Sequence, residues 1–290
     1  MTLAATAPTT PSGERIVIRR GRRQTGVHIS LTVLALLGLA PYLFMLITAL
    51  KTNQQYNQSF WAISFPLHWE NFGTAWVQVQ PYLVASLTVA VVSAVGIIAV
   101  SLLAGFVFAR FRFPGRTLLY TLIAALMMVP SIASLIPLFL MMRDFQLLNT
   151  MAVLILPQIA GGAVLGTILM RSYIEGIPQS IFEAAMLDGA GPTRLFRSIV
   201  LPLSFPVIGT VLLVTIQGVW NDFFWPLLTV TDNSLRTVSV GLLFFQGQSG
   251  TDFGPMFAGY LIASLPLLIL FTFFSRYFLA GVQGGLPGSH

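Results

Sequence analysis

The chain has 290 residues, of which 56% are hydrophobic and only 8% charged, and its mean hydropathy is +0.83. A soluble domain carries about 25% charged residues to give itself a water-compatible surface, so the composition excludes a lone soluble globule and points to lipid. Cysteine is absent, which excludes a disulfide framework, a thiolate nucleophile and a thiolate-bound metal, and the three histidines (His28, His68, His290) lie too far apart to form a metal set. The net charge of +6 comes from 15 Lys and Arg spread through an apolar chain. Basic residues placed in that way read as topology signals rather than as a nucleic-acid-binding face.

Taken in chain order, residues 1–27 read as a disordered basic leader, rich in Thr, Pro and Ala up to about Gly13. The pairs Arg19-Arg20 and Arg22-Arg23 before an apolar run resemble a secretory signal, but the run that follows is too long for a cleaved one. It predicts a first span over about 28–50. The polar stretch from Lys51 to Gln80, with Trp61, Trp69 and Trp76, reads as an outer loop whose aromatics suit a membrane–water interface. Further uncharged apolar runs predict spans over about 83–109, 117–142, 145–170, 204–230 and 253–276. Each exceeds the roughly 20 residues needed to cross ~30 Å of hydrocarbon, and each is apolar on every face, unlike a barrel strand. Thr237 to Thr251 is too short and too rich in Gly and Gln for a span, and reads as a loop or interfacial piece.

The fold class is therefore an all-α membrane protein with six transmembrane helices in the segment 28–285, followed by a short tail, 286–290. With the N-terminus inside, Arg15, Arg19, Arg20, Arg22, Arg23, Arg110, Arg112, Arg116, Arg171, Arg194, Arg197 and Arg276 fall on the inner side. Only Lys51, Arg143 and Arg236 fall outside. Twelve against three places both termini in the cytoplasm.

The segment 176–203 breaks this pattern. Pro178 suits the first helical position, where its missing N–H costs nothing. Ile181, Phe182, Ala185 and Met186 then form an apolar stripe at three- and four-residue spacing. Gly189 suits a left-handed stop, Thr193 can cap a second turn after Gly191-Pro192, and Pro202 marks the entry to the fifth span. The expected product is a compact cytoplasmic helix–turn–helix carrying Glu183 and Asp188. Two readings remain for it: an interfacial helix lying on lipid, or a docking knob for a cytoplasmic partner. Interfacial helices present Lys and Arg to headgroups, whereas the first half of this one presents carboxylates.

Glu183-Ala184-Ala185, then Asp188-Gly189 and, after nine residues, Ile199 and Leu201-Pro202, resembles the EAA signature of permease subunits of binding-protein-dependent ABC importers. Trp220-Asn221-Asp222-Phe223, Trp225-Pro226-Leu227, Leu235-Arg236-Thr237 and Gly250-Thr251-Asp252-Phe253-Gly254 resemble the carbohydrate-uptake branch, near the maltose-type second permease. The likeness runs from about Pro41 to Gly285. The ending Gly284-Gly285-Leu286-Pro287-Gly288 departs from it.

The resemblance implies a type I importer permease fold in the bacterial cytoplasmic membrane. It further implies a sister permease forming a heterodimer with this chain, two cytoplasmic ATPase subunits and an extracytoplasmic sugar-binding protein. Glu183, Ala184, Ala185, Asp188, Gly189, Ile199, Leu201 and Pro202 would couple to the ATPase. ATP and Mg²⁺ would be bound there, since this chain has no Gly-x-x-x-x-Gly-Lys-[Ser/Thr] loop and its one lysine, Lys51, falls in an outer loop. The subunit would then carry sugar and catalyse nothing itself.

On the fifth span, Gln217 and Asn221 lie four apart on one face, with Trp220 and Asp222 beside them. These are candidates for the substrate pathway, since amide, carboxylate and aromatic groups suit sugar hydroxyls and ring faces. Hydrogen bonding to neighbouring helices and an aromatic belt explain the same residues equally well. Two rival classes fit less well. An ion-coupled secondary transporter places several ionisable groups near the bilayer midplane, and the spans here hold essentially one, Asp222. A membrane-embedded enzyme would need an Asp-rich, His-x-x-x-His or Ser/His constellation, which the spans lack.

Overall fold

The computed structural model describes residues 21–248 and 252–283; the leader up to residue 20 and the tail 286–290 lie outside the described residues. The chain divides into two compact units, Met1–Phe44 and Met45–His290. The first contains most of α1 (Gly21–Ala49), a helix whose side chains from Gly26 onwards are largely exposed, as expected of a helix that meets lipid or another subunit. In the second unit, the short α2 (Asn53–Gln58) is fixed by a capping box: Thr52 accepts from the Gln55 backbone and Gln55 accepts from the Thr52 backbone.

The centre of the second unit is α3 (Glu70–Arg110), 41 residues long. At ~1.5 Å per residue it measures about 60 Å, about twice the ~30 Å hydrocarbon thickness. Its first turns occupy Glu70–Gln80, which the sequence suggested was loop. The run is polar enough to look like loop, but Ala75, Val79 and Tyr82 pack inward and hold it helical. Three core clusters are strung along α3. Near its start, Val79 and Tyr82 meet Trp220, Val238 and Met256. In its middle, Val89 and Ala90 meet Met142, Val153, Ile216 and Trp225. Near its end, Ile97, Leu102 and Phe106 meet Met170, Ile174, Phe182 and Val200.

The expected span over 117–142 is broken: α4 (Arg116–Leu126) and α5 (Ser131–Asp144) meet at 98°. Pro130 has no N–H to continue a helix and disfavours the α conformation in the residue before it, so the chain turns at Met127–Val129. The fourth helix, α6 (Met151–Glu175), starts six residues later than expected. Gln146 and Asn149 adopt left-handed conformations, and Thr150 caps the helix by accepting from the Val153 N–H.

The next elements are α7 (Gln179–Leu187) and then α8 (Pro192–Leu195), a π-turn (Phe196–Val200) and α9 (Leu201–Leu203), which run on as one rod. That rod meets α10 (Phe205–Asn221) at 69°. The expected span over 204–230 thus bends near Ser204 and stops at Asn221, and α11 (Phe224–Thr229) follows as a separate turn. A 3-10 turn (Asn233–Leu235) leads to α12 (Val238–Gln248), so most of 237–251 is helical rather than loop. Burial of Val238 and Val240 against α3 supplies what its sequence lacks, with the Tyr82 ring packed over Gly241. The last helix is α13 (Phe253–Gln283).

Among the described residues, four helices are long and apolar enough to cross a membrane, and six crossings result if each bent pair counts as one span. All described regular structure is helical.

Candidate functional site

The loop between α6 and α8 is built as a bracket. Pro178 is the residue before the first turn of α7, and Gly189 closes that helix with φ +78°. The Ala190 N–H donates to the Ala185 carbonyl, which completes the reversal. Gly191 rather than Thr193 precedes the second helix, and Pro192 takes its first position. Thr193 makes no capping bond there, because the proline already pre-sets the turn.

The apolar stripe of α7 splits between two faces. Phe182 is only 3% exposed and sits among Ile177, Leu195 and Val200, with Ala185 half-buried beside it. Burying a phenylalanine of this kind contributes about 2–3 kcal/mol. Ile181, Met186 and Leu187 face outward together with Glu183, Ala184 and Asp188, and Leu187 is 89% exposed. Ile199 is half-buried on the core side, while Leu201 and Pro202 lie in the base leading to α10. The predicted loop residues therefore divide into an exposed head (Glu183, Ala184, Asp188, Gly189) and a supporting base.

Sequence reading missed what holds the head. Arg110, at the end of α3, donates from Nη2 to the carbonyls of Ile174 (2.5 Å) and Ile177 (2.6 Å). Its Nη1 donates to Gln179 Oε1 (2.9 Å), and its guanidinium lies 4.0 Å from the Phe182 ring centroid. One side chain thus gives the Ile174 carbonyl a second donor besides the Ile177 N–H, satisfies the Ile177 carbonyl beyond the end of α6, and pins the start of α7. Glu175 receives both Arg171 (2.9 Å) and Arg116 (3.3 Å), which ties α4 to the same end. Close approach of α3 and α6 requires Gly105: a Cβ there would lie 2.7 Å from Met170 Cβ and 2.9 Å from the Arg171 nitrogen.

The second candidate region is the end of α10. Gln217 and Asn221 share an exposed face, and Asn221 Nδ2 donates to the Gln217 carbonyl (2.9 Å). Trp220 turns the other way, into the core beside Tyr82. Asp222 is half-buried and accepts at Oδ2 from Gln158 Nε2 of α6 (2.8 Å). Its Oδ1 accepts from the Trp225 backbone (3.4 Å), and its carbonyl accepts from Ser239 Oγ (2.5 Å). Trp225 in turn donates its indole N–H to the Val153 carbonyl (2.7 Å), which Pro157, four residues on and without an N–H, leaves open in α6. The structure brings Asp222 together with Gln158 and Trp225 rather than with Trp220. A polar residue in an otherwise apolar run was the signal available for Gln158.

Both regions lie within residues 97–284, which match the family model described as "binding-protein-dependent transport system inner membrane component". The chain belongs to this family. Relatives of this inner-membrane component include the probable ABC transporter permease protein YurM of Bacillus subtilis, 33% identical over 90% of this chain and 88% of that protein. The diacetylchitobiose uptake system permease protein NgcG of Streptomyces coelicolor is 29% identical over 89% of this chain and 87% of its own. The melibiose/raffinose/stachyose import permease protein MelC of B. subtilis is 28% identical over 92% and 98%. The same fold occurs in a crystal structure of a bacterial ABC transporter that imports the acidic polysaccharide alginate, with a TM-score of 0.73 and 22% identity over 93% of this chain and all of that one. The permease fold expected from the sequence is thus the fold observed. In this inner-membrane component, the bracket on Arg110 gives an outward knob, and the break at the end of α10 gives a half-buried carboxylate, Asp222, bonded to α6.

Proposed function

We propose that this permease chain is the transmembrane subunit of an importer that moves a mono- or oligosaccharide, powered by ATP hydrolysis on separate subunits. The knob at 176–203 is the single observation that carries the reading. It is stiff, compact and tied at both ends to membrane helices, so a push on its head reaches α3 and α6 instead of being absorbed by a slack loop. The exposed Glu183 carboxylate offers a charge-assisted hydrogen bond to an Arg or Lys of the ATPase. Asp188 and Ala184 leave close approach open on the same face.

Several relatives are named for sugars, including diacetylchitobiose and the melibiose/raffinose/stachyose group, which supports a carbohydrate as cargo. Under this reading the chain binds neither ATP nor Mg²⁺ and does no chemistry of its own. A sister permease completes the pathway, two ATPase subunits sit below, and a sugar-binding protein delivers from outside. The twelve-to-three distribution of basic residues supports cytoplasmic termini and a cytoplasmic knob. Gln217, Trp220, Asn221 and Asp222 remain the candidate pathway residues on α10, with Trp220 contributing from behind as packing.

The test is uptake of labelled neutral oligosaccharides into proteoliposomes. Transport is expected only with sister permease, ATPase, binding protein and ATP together. Uptake by the chain with an ion gradient alone would instead identify a secondary transporter.

A further inference from the structure

Two helix interruptions and a proline-containing helix border one cavity. The break before α5 brings Ser131, the continuous α6 brings Pro157 and Gln158, and the break after α10 brings Asp222 and Trp225. The space they border is about 280 Å³ and opens to the protein surface. Non-helical backbone at membrane depth is tolerated where it is buried in protein or lines a wet cavity, and transporters build substrate sites from such discontinuous helices. Ligand pockets begin at about 300 Å³, so this one fits a single ring rather than an oligomer. Its lining carries one carboxylate, one carboxamide, one hydroxyl and an indole, and the rest of the wall is apolar, with Ile132, Leu135, Leu138 and Phe224. None of its lining residues is Lys or Arg.

From this geometry we infer that the Ser131–Gln158–Asp222–Trp225 cavity is a subsite for one uncharged sugar ring, and that Asp222 excludes rings bearing an anionic group. The proposal rests on the transport reading above and adds to it the residue Gln158 and the charge selectivity. Gln158 Nε2 donates to Asp222 Oδ2, which leaves the carboxamide oxygen of Gln158 as an acceptor for a sugar hydroxyl, while the Asp222 carboxylate has acceptor capacity for another. Trp225 is held rigid by its bond to Val153 and supplies an apolar wall for the ring's C–H face. An anionic ring would meet the Asp222 charge with no cation in the lining to offset it, and a like-charge contact of that kind discriminates by repulsion.

The chain has no cysteine, so Ser131→Cys places a unique thiol at the cavity, provided the partner subunits are made cysteine-free. In the assembled complex without binding protein, the rate of thiol modification is measured with and without ATP, in the presence of glucose or glucuronate. Glucose is expected to slow labelling by about fivefold, equivalent to about 1 kcal/mol, and glucuronate to leave it unchanged. Asp222→Asn in the same background keeps the shape and a hydrogen bond to Gln158, and should let glucuronate protect as glucose does. Gln158→Leu should abolish protection by glucose. Equal protection by the two sugars, protection by neither, or a thiol unreactive in both nucleotide conditions overturns the subsite. So does an Asp222→Asn variant whose selectivity matches the parent. Failure of the transport reading would appear separately, as absence of ATP-driven uptake by the unmodified complex.

Discussion

The bracket at 176–203 and the break at 222–225 both interrupt the helical run, yet the balance of local and long-range support differs between them. At the bracket, the turn is made by residues that pre-set their own backbone: Pro178, Gly189 with φ +78°, and Pro192. At the break, the backbone is held by partners distant in sequence. Asp222 meets Gln158, 64 residues away, and Trp225 meets Val153, 72 residues away. The bracket's turns are set locally and then anchored by one side chain distant in sequence, Arg110. The break lacks such turn-setting residues and depends mainly on long-range side-chain bonds, with Trp225 also satisfying the Val153 carbonyl that Pro157, lacking an N–H, leaves open in α6.

Arg110→Ala should have the largest effect. It removes two charged hydrogen bonds to the Ile174 and Ile177 carbonyls, and such bonds contribute about 1.5–3 kcal/mol each. Hydrogen exchange should rise across 174–189 while protection at 153–158 is unchanged. Arg110→Lys should recover part of the loss, since one ammonium cannot span both carbonyls and Gln179 together. Equal loss at both regions would show that the two interruptions are one cooperative unit.

Trp225→Phe comes next. It keeps most of the packing but leaves the Val153 carbonyl unsatisfied, at a cost of about 1–3 kcal/mol. Exchange should increase around 150–158 and 222–230, with the bracket unaffected. Gly189→Ala should be the mildest. A Cβ there meets nothing within 4 Å, so only the left-handed backbone opposes it, at about 1–2 kcal/mol. Thermal unfolding of the detergent-solubilised complex measures the cost. A drop as large as that of Arg110→Ala would mean that the turn, not the arginine, holds the head.

The same contrast explains what the sequence could show. Pro178, Gly189 and the exposed carboxylates of the bracket are legible because they act locally, and so is the apolar length of α6 and α13. Arg110 was read only as a topology charge, because its partners lie 64 to 69 residues onward. The 98° break before α5 was hidden in an uninterrupted apolar run, with Pro130 as its one local mark. Likewise α12 looked like loop because its helical state depends on Tyr82 packing over Gly241. Of the pathway candidates, Asp222 stood out as a lone acid in a span, whereas Gln158 gains meaning only beside it.

Cross-linking from a single thiol shows whether the head of the bracket seats on a cytoplasmic ATPase, as proposed. Leu187→Cys puts a reactive group on the exposed head, and Phe65→Cys, 78% exposed in the loop before α3, serves as the control at the other side. A short bis-maleimide in inverted membrane vesicles of the assembled complex should join position 187 to the ATPase and arrest ATP-driven uptake, while position 65 gives no such product. No ATPase adduct at position 187, together with labelling of that position by an impermeant reagent from the outer face, would contradict the account.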